Sequence, residues 1–152
     1  MKRLWFLASL CLMACHAQAP NSPSTQEQSM NEPTTPKAQT VKLTINNQAF
    51  DVALEDNPTA QAFTELFPLQ LSMQDHLGNE KFATLPKALP NNDKLVGQIH
   101  VGDVMLYQGD TLVIFYESFY SDYRYTRIGK VIQTDGLNQA LGRDRVDVQI
   151  NH

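Results

Sequence analysis

Beyond residue 40, apolar and polar residues alternate with a period of two along much of the chain. Val41, Leu43 and Ile45 alternate with Lys42 and Thr44, and Phe50, Val52 and Leu54 alternate with Asp51 and Ala53. Successive strand residues point to opposite faces, so the pattern predicts two strands with one buried face each. The Asn46-Asn47 pair between them predicts an antiparallel hairpin. Leu69, Leu71 and Met73 repeat the alternation, and Lys81 to Leu85 follows the turn signal Gly78-Asn79. Ile99 and Val101 predict a short edge strand. Val146, Val148 and Ile150 alternate with Arg145, Asp147 and Gln149 up to the carboxyl terminus.

The stretch from Gly102 to Gly129 carries the densest strand signals and all five tyrosines. Val104 to Tyr107 and Thr111 to Tyr116 flank Gly109-Asp110, a glycine-first dipeptide that predicts a two-residue hairpin turn. A third run, Tyr123 to Ile132, follows a polar break at Ser121-Asp122. Two helices interrupt the strands. Asn57 and Pro58 form a cap and a first helical position for about ten residues, with Ala62, Phe63, Leu66 and Phe67 on one face and Pro68 as the stop. Asp135 to Gly142 predicts a second, shorter helix closed by glycine.

The first and last strands share the same one-sided pattern, and pairing them hides two sheet edges at once. The expected fold is therefore mainly β, a closed antiparallel β-barrel. Leu69-Gln70-Leu71-Ser72-Met73, Gly78-Asn79-Glu80-Lys81-Phe82, Leu85-Pro86 through Leu89-Pro90, Gly102-Asp103-Val104-Met105-Leu106-Tyr107, Leu112-Val113-Ile114-Phe115-Tyr116 and Tyr125-Thr126-Arg127-Ile128-Gly129 together resemble the motif series of the bacterial cyclophilin-like domain family. The resemblance covers about Val41 to His152. It implies about eight strands with one or two short helices, related in shape to the peptidyl-prolyl isomerases. Isomerases of the cyclophilin type carry a strand-borne arginine followed by Phe-Met-x-Gln. This chain has no such string, so no catalytic residue carries over.

Composition adds a location. Lys2 and Arg3 precede a short apolar run, Leu4 to Met13, as an export signal requires, and the run is too short for a stable membrane span. Leu12-Met13-Ala14-Cys15 resembles the lipobox of bacterial lipoproteins. That resemblance implies a signal over residues 1–14, lipid on Cys15, and residence at the outer membrane, because His16 is not the aspartate of inner-membrane retention. The competing site, Ala17-Gln18-Ala19, would release a soluble periplasmic or secreted protein, but Pro20 follows it and is a poor fit in an extended protease groove. From His16 to Thr40 no Val, Ile, Leu or aromatic residue occurs. Such a segment cannot bury enough apolar area to fold and reads as a tether reaching on the order of 25 to 30 Å. The three parts expected are thus residues 1–14, 15–40 and 41–152.

Removing Lys2 and Arg3 from the 12 basic residues leaves 10 against 16 acidic ones, a net charge of −6. An acidic domain disfavours nucleic acid, which needs phosphate neutralisation. Both cysteines, Cys11 and Cys15, precede the domain, which excludes disulfides and thiol chemistry within it.

No nucleotide-binding or hydrolase motif is present, and His76 and His100 stand alone, so neither a cofactor nor a metal is expected. Glu80 and Asp103 sit beside glycine turns, where carboxylates commonly accept backbone N–H bonds. Prolyl isomerisation needs an apolar pocket and one strong donor. Arg127 is the donor candidate, with Tyr107, Phe115, Tyr123 and Tyr125 as walls. The competing reading makes Arg127 an ion-paired surface residue and the aromatics plain core. In a regular strand Tyr123, Tyr125 and Arg127 share one face and Arg124, Thr126 and Ile128 the other, unless Gly129 marks a bulge. Two functions follow: a tethered module binding an extended or proline-containing peptide or a small ligand, and a weak prolyl isomerase acting on exported proteins.

Overall fold

The alternating segments form nine strands and two short helices: β1 (Thr40–Ile45), β2 (Gln48–Leu54), α1 (Pro58–Thr64), β3 (Leu69–His76), β4 (Glu80–Thr84), β5 (Lys94–Ile99), β6 (Asp103–Tyr107), β7 (Thr111–Phe115), β8 (Phe119–Val131), α2 (Leu137–Leu141) and β9 (Val146–Asn151). The computed structural model describes residues 38–152. The expected export signal, Cys15 and most of the tether lie outside the described residues. No helix among them is long and apolar enough to cross a membrane.

Every strand pairing is antiparallel. The order β2-β1-β9-β3-β4-β7-β6-β8 closes on itself through a further pairing of β2 with β8, so eight strands form a ring and β5 lies outside it on β8. First and last strands are neighbours, with Leu43 opposite Ile150. The ring closes where Leu54 meets Gly129. A β-carbon at Gly129 would collide with the Ala53 carbonyl, so only glycine lets β2 approach this closely.

Alternation places Val41, Leu43 and Ile45, Leu112 and Ile114, and Val146, Val148 and Ile150 in one buried cluster inside the ring. Phe63 from α1 and Leu137 and Leu141 from α2 join it. Asn46 and Asn47 make the two-residue β1–β2 link with φ of 48° and 65°, a left-handed conformation that asparagine tolerates. Asn57 caps α1 by accepting the Ala60 N–H at 2.8 Å, and its amide donates to the Arg127 carbonyl at 2.9 Å.

Five local expectations change. The β6–β7 link has three residues, because Tyr107 pairs with Thr111 and Gln108 (φ 52°) joins Gly109 (φ 84°) in the left-handed region. Ser121-Asp122 is no break, since β8 runs through it. Ser121 is buried opposite Gly97, where the short side chain lets β5 lie close. β5 is six residues rather than a fragment around Ile99, its pattern disguised by a register shift between Leu95 and Gly97, and Val101 falls in the following turn. Helix α1 stops at Thr64, where Leu66 and Phe67 donate to the carbonyls of Phe63 and Thr64 and tighten the chain ahead of Pro68. Helix α2 starts only at Leu137, with Gly136 at its cap position, rather than at Asp135.

Candidate functional site

The outer face of β4, β7, β6 and β8 is apolar, which a solvated strand face ordinarily is not. Cross-strand rows explain why. Phe82 lies opposite Val113, and Val113 opposite Met105; in the next row Thr84 faces Thr111, which faces Tyr107. Ile99, Met105, Val113, Phe115 and Tyr125 form a second buried cluster on this face, with β5 and Phe119 as partial cover. The cover stops short and leaves an open cleft of about 410 Å³.

The rim of that cleft is supplied by His76 at the end of β3, by the β3–β4 turn (Leu77, Asn79), by Glu80 and Phe82 of β4, by Tyr107, and by Phe119, Tyr123 and Tyr125 of β8. The rings interlock. Tyr107 packs on Tyr125 at 5.5 Å and meets Tyr123 edge-on at 6.3 Å between centroids. Phe115 lies beneath, edge-on to Tyr125 at 5.5 Å and 5.8 Å from Phe119. His76 stands edge-on to Phe82 at 6.2 Å.

Of the residues nominated from sequence, Tyr107, Tyr123 and Tyr125 thus come together around one opening, and Phe115 is the floor below them. Arg127 is on the same face but elsewhere. β8 carries a bulge, with Val104 opposite Gly129 and Met105 opposite Arg127, at the glycine that hinted at one. Arg127 precedes that bulge and keeps the face of Tyr125, but it lies opposite the covered Met105, where its Nη1 is 3.5 Å from Asp103 Oδ2. It lines a second depression, which Tyr125 shares, together with Asn57, Thr59, Leu95, Val96 and Thr126; there Thr59 Oγ1 donates to the Pro90 carbonyl and Thr126 Oγ1 to Asp93. Asp103 is buried and accepts the His100 N–H at 3.0 Å, the backbone role expected of it.

Glu80 behaves differently. It is half-buried at the cleft, with no ion pair and no side-chain hydrogen bond among the described residues. Burial raises its carboxyl above the ordinary value; His76 opposes that shift and Asp75 adds to it. Burial likewise pushes the Tyr125 hydroxyl up to about 12, with the Glu80 charge as the next cause. The two groups therefore feel each other across the cleft. Among the described residues no three His, Cys, Asp or Glu side chains assemble into a metal site.

Sequence reasoning missed His76, Leu77, Phe82 and Phe119. For Phe82 a signal existed in the alternation of Glu80, Phe82 and Thr84, but Lys81 between them reads as the solvent residue. In fact Lys81 is the buried one.

The sequence profile of the Cyclophilin-like family matches residues 43–151. No curated protein matches the sequence. Among solved structures, the hypothetical protein AF2241 from Archaeoglobus fulgidus is similar in fold, with a TM-score of 0.53 and 15% identity over 75% of this chain and 94% of that one. McbB, determined in complex with tryptophan, gives a TM-score of 0.52 and 15% identity over 74% of this chain and 44% of that one.

Proposed function

Because this chain belongs to the cyclophilin-like family, we propose that residues 41–152 are a ligand-binding module whose aromatic cleft takes a small molecule or an extended peptide segment, held in a bacterial cell envelope by lipid on Cys15. One observation carries the reading: an open cleft of about 410 Å³ with aromatic walls, set on the outside of a ring whose interior is filled by side chains. Apolar concavities with a few converging polar groups are the ordinary form of small-ligand sites. A packed interior has no lumen to offer, so the ligand's place is on the outer face. McbB, of similar fold, was determined with tryptophan bound, which agrees with a small-ligand role.

The alternative, weak prolyl isomerisation, needs a strong donor aimed over the apolar wall. Arg127, opposite Met105, is instead engaged with Asp103, which favours binding without turnover. The full chain at micromolar concentration is expected to leave the cis–trans relaxation of a proline peptide unaccelerated. In saturation-transfer NMR it is expected to bind small aromatic fragments, and Tyr107→Ala to abolish that transfer with the fold retained. Acceleration lost in Arg127→Ala would install the isomerase in place of the module. Binding indifferent to Tyr107→Ala would remove the cleft.

The tether is tested apart from the cleft. Cys15→Ala is expected to move the protein from the membrane fraction to the soluble one, and unchanged membrane association would contradict the anchor.

A further inference from the structure

The cleft is chemically one-sided. Its walls are the rings of Phe82, Tyr107, Tyr123 and Tyr125, and ring faces carry negative potential that attracts cations. Glu80 contributes a carboxylate to the same surface and makes no ion pair and no side-chain hydrogen bond among the described residues, although His76, opposite it on β3, favours its charged form. The neighbouring basic residue on β4, Lys81, offers it nothing, because it points into the ring, fully buried and paired with Asp75 at 2.9 Å. At the lip of the turn Asn79 leaves its side-chain oxygen buried with no donor among the described residues.

A half-buried carboxylate without a partner is costly to keep charged. An apolar ligand would gain nothing from it and an anion would be repelled. A hard divalent cation demands several oxygen ligands, and no group of three candidate ligands exists among the described residues. What remains is a charged donor with an apolar body.

We propose that the cleft binds an organic cation, a primary alkylammonium whose apolar part packs on Tyr107, Tyr123 and Tyr125 and whose ammonium is neutralised by Glu80. The inference rests on the cleft being a ligand site and adds the charge of what enters it. The ammonium donates to the Glu80 carboxylate and, where the turn yields slightly, to the Asn79 oxygen. The ring faces contribute cation–π attraction, which a neutral ligand of equal size does not receive.

The test pairs two probes of nearly equal shape, 2-phenylethylammonium and neutral 2-phenylethanol, titrated into the full chain while the aromatic-ring NMR signals are followed. The ammonium is expected to bind about ten-fold more tightly than the alcohol, the size of effect that one partly desolvated cation–π and ion-pair contact supplies. Glu80→Gln, checked for an unchanged melting temperature, is expected to bring the two affinities together. Tyr123→Leu, at an exposed position of the wall, is expected to weaken both probes but the ammonium more, narrowing the gap, because leucine keeps apolar contact and removes the ring face. Equal binding of both probes to the unmodified protein overturns the cation while leaving the cleft as a site. A preference that survives Glu80→Gln unchanged overturns the assigned counter-ion. If neither probe moves the rings of Tyr107, Tyr123 and Tyr125, the cation and the ligand site fail together.

Discussion

Asp75→Asn is expected to cost roughly 3 to 5 kcal/mol of stability, because it strands a buried ammonium. The Lys81 side chain is 0% exposed, and its Nζ donates to Asp75 Oδ1 at 2.9 Å and to the Asp144 carbonyl at 2.6 Å. The Tyr116 hydroxyl donates to the same carboxylate oxygen, and the Gly78 N–H donates to the other at 3.0 Å. The lysine also lies 5.6 Å from the Tyr116 ring centroid. Asparagine keeps the shape but removes the charge that balances Lys81. The double variant Asp75→Asn with Lys81→Met is expected to recover most of the loss, since an apolar isostere needs no counter-charge. Urea unfolding of the three proteins measures this, and a single-variant cost below about 1 kcal/mol would contradict the buried pair.

The same network sets a pH dependence. Burial alone would raise the Asp75 carboxyl, but hydrogen bonds from Tyr116, Lys81 and Gly78 more than offset it and hold it below its ordinary value. A lowered folded-state value means that the unfolded chain binds the proton first. The contribution is therefore whole above about pH 4 and is lost as pH falls through the folded value. Tyr116 is shifted the other way, upward, by burial and by its bond to Asp75. Its contribution is whole below about pH 10 and is lost as pH rises beyond that. Asp75→Asn should flatten the acid limb of the stability profile.

Phe115→Ala is the second large effect, expected to cost about 3 to 5 kcal/mol and to abolish binding in the cleft. Phe115 is fully buried and holds up Tyr125 and Phe119 at 5.5 and 5.8 Å. Truncation leaves a cavity under two of the walls, and both rings sink into it. Phe115→Leu, which keeps most of the volume, should lose less stability and retain weak binding. If Phe115→Ala unfolds at the same denaturant concentration as the unmodified protein, the second cluster is not a packed floor.

Much of the ring was legible from side-chain alternation alone. The one-sided pattern of Val41 to Ile45 and of Val146 to Ile150 foretold their pairing, because two half-buried edges must be hidden. Asn46-Asn47 and Asn57-Pro58 announced a turn and a cap through their own backbone preferences. The site was only half legible. Tyr107, Phe115, Tyr123 and Tyr125 come together because their strands present the same face, which alternation can express. Arg127 shares their face but is engaged by Asp103, a residue on another strand whose position relative to β8 no local pattern records. Lys81 misled in the same way: lysine signals solvent unless a carboxylate waits inside, and Asp75 reaches it only in the β3–β4 register that sets His76 opposite Glu80. That register also turns Glu80 and Phe82 outward.

On this reading the ligand site lies on the outside of the closed ring, among the tyrosines. Its most direct test is to map aromatic-ring NMR shifts of the full chain while adding a set of small apolar, anionic and cationic fragments. Shifts are expected to concentrate on Phe82, Tyr107, Tyr123 and Tyr125, with the Phe63 and Phe67 rings of the α1 region unmoved. Shifts centred on Phe63 and Phe67, or on no ring at all, would contradict that placement.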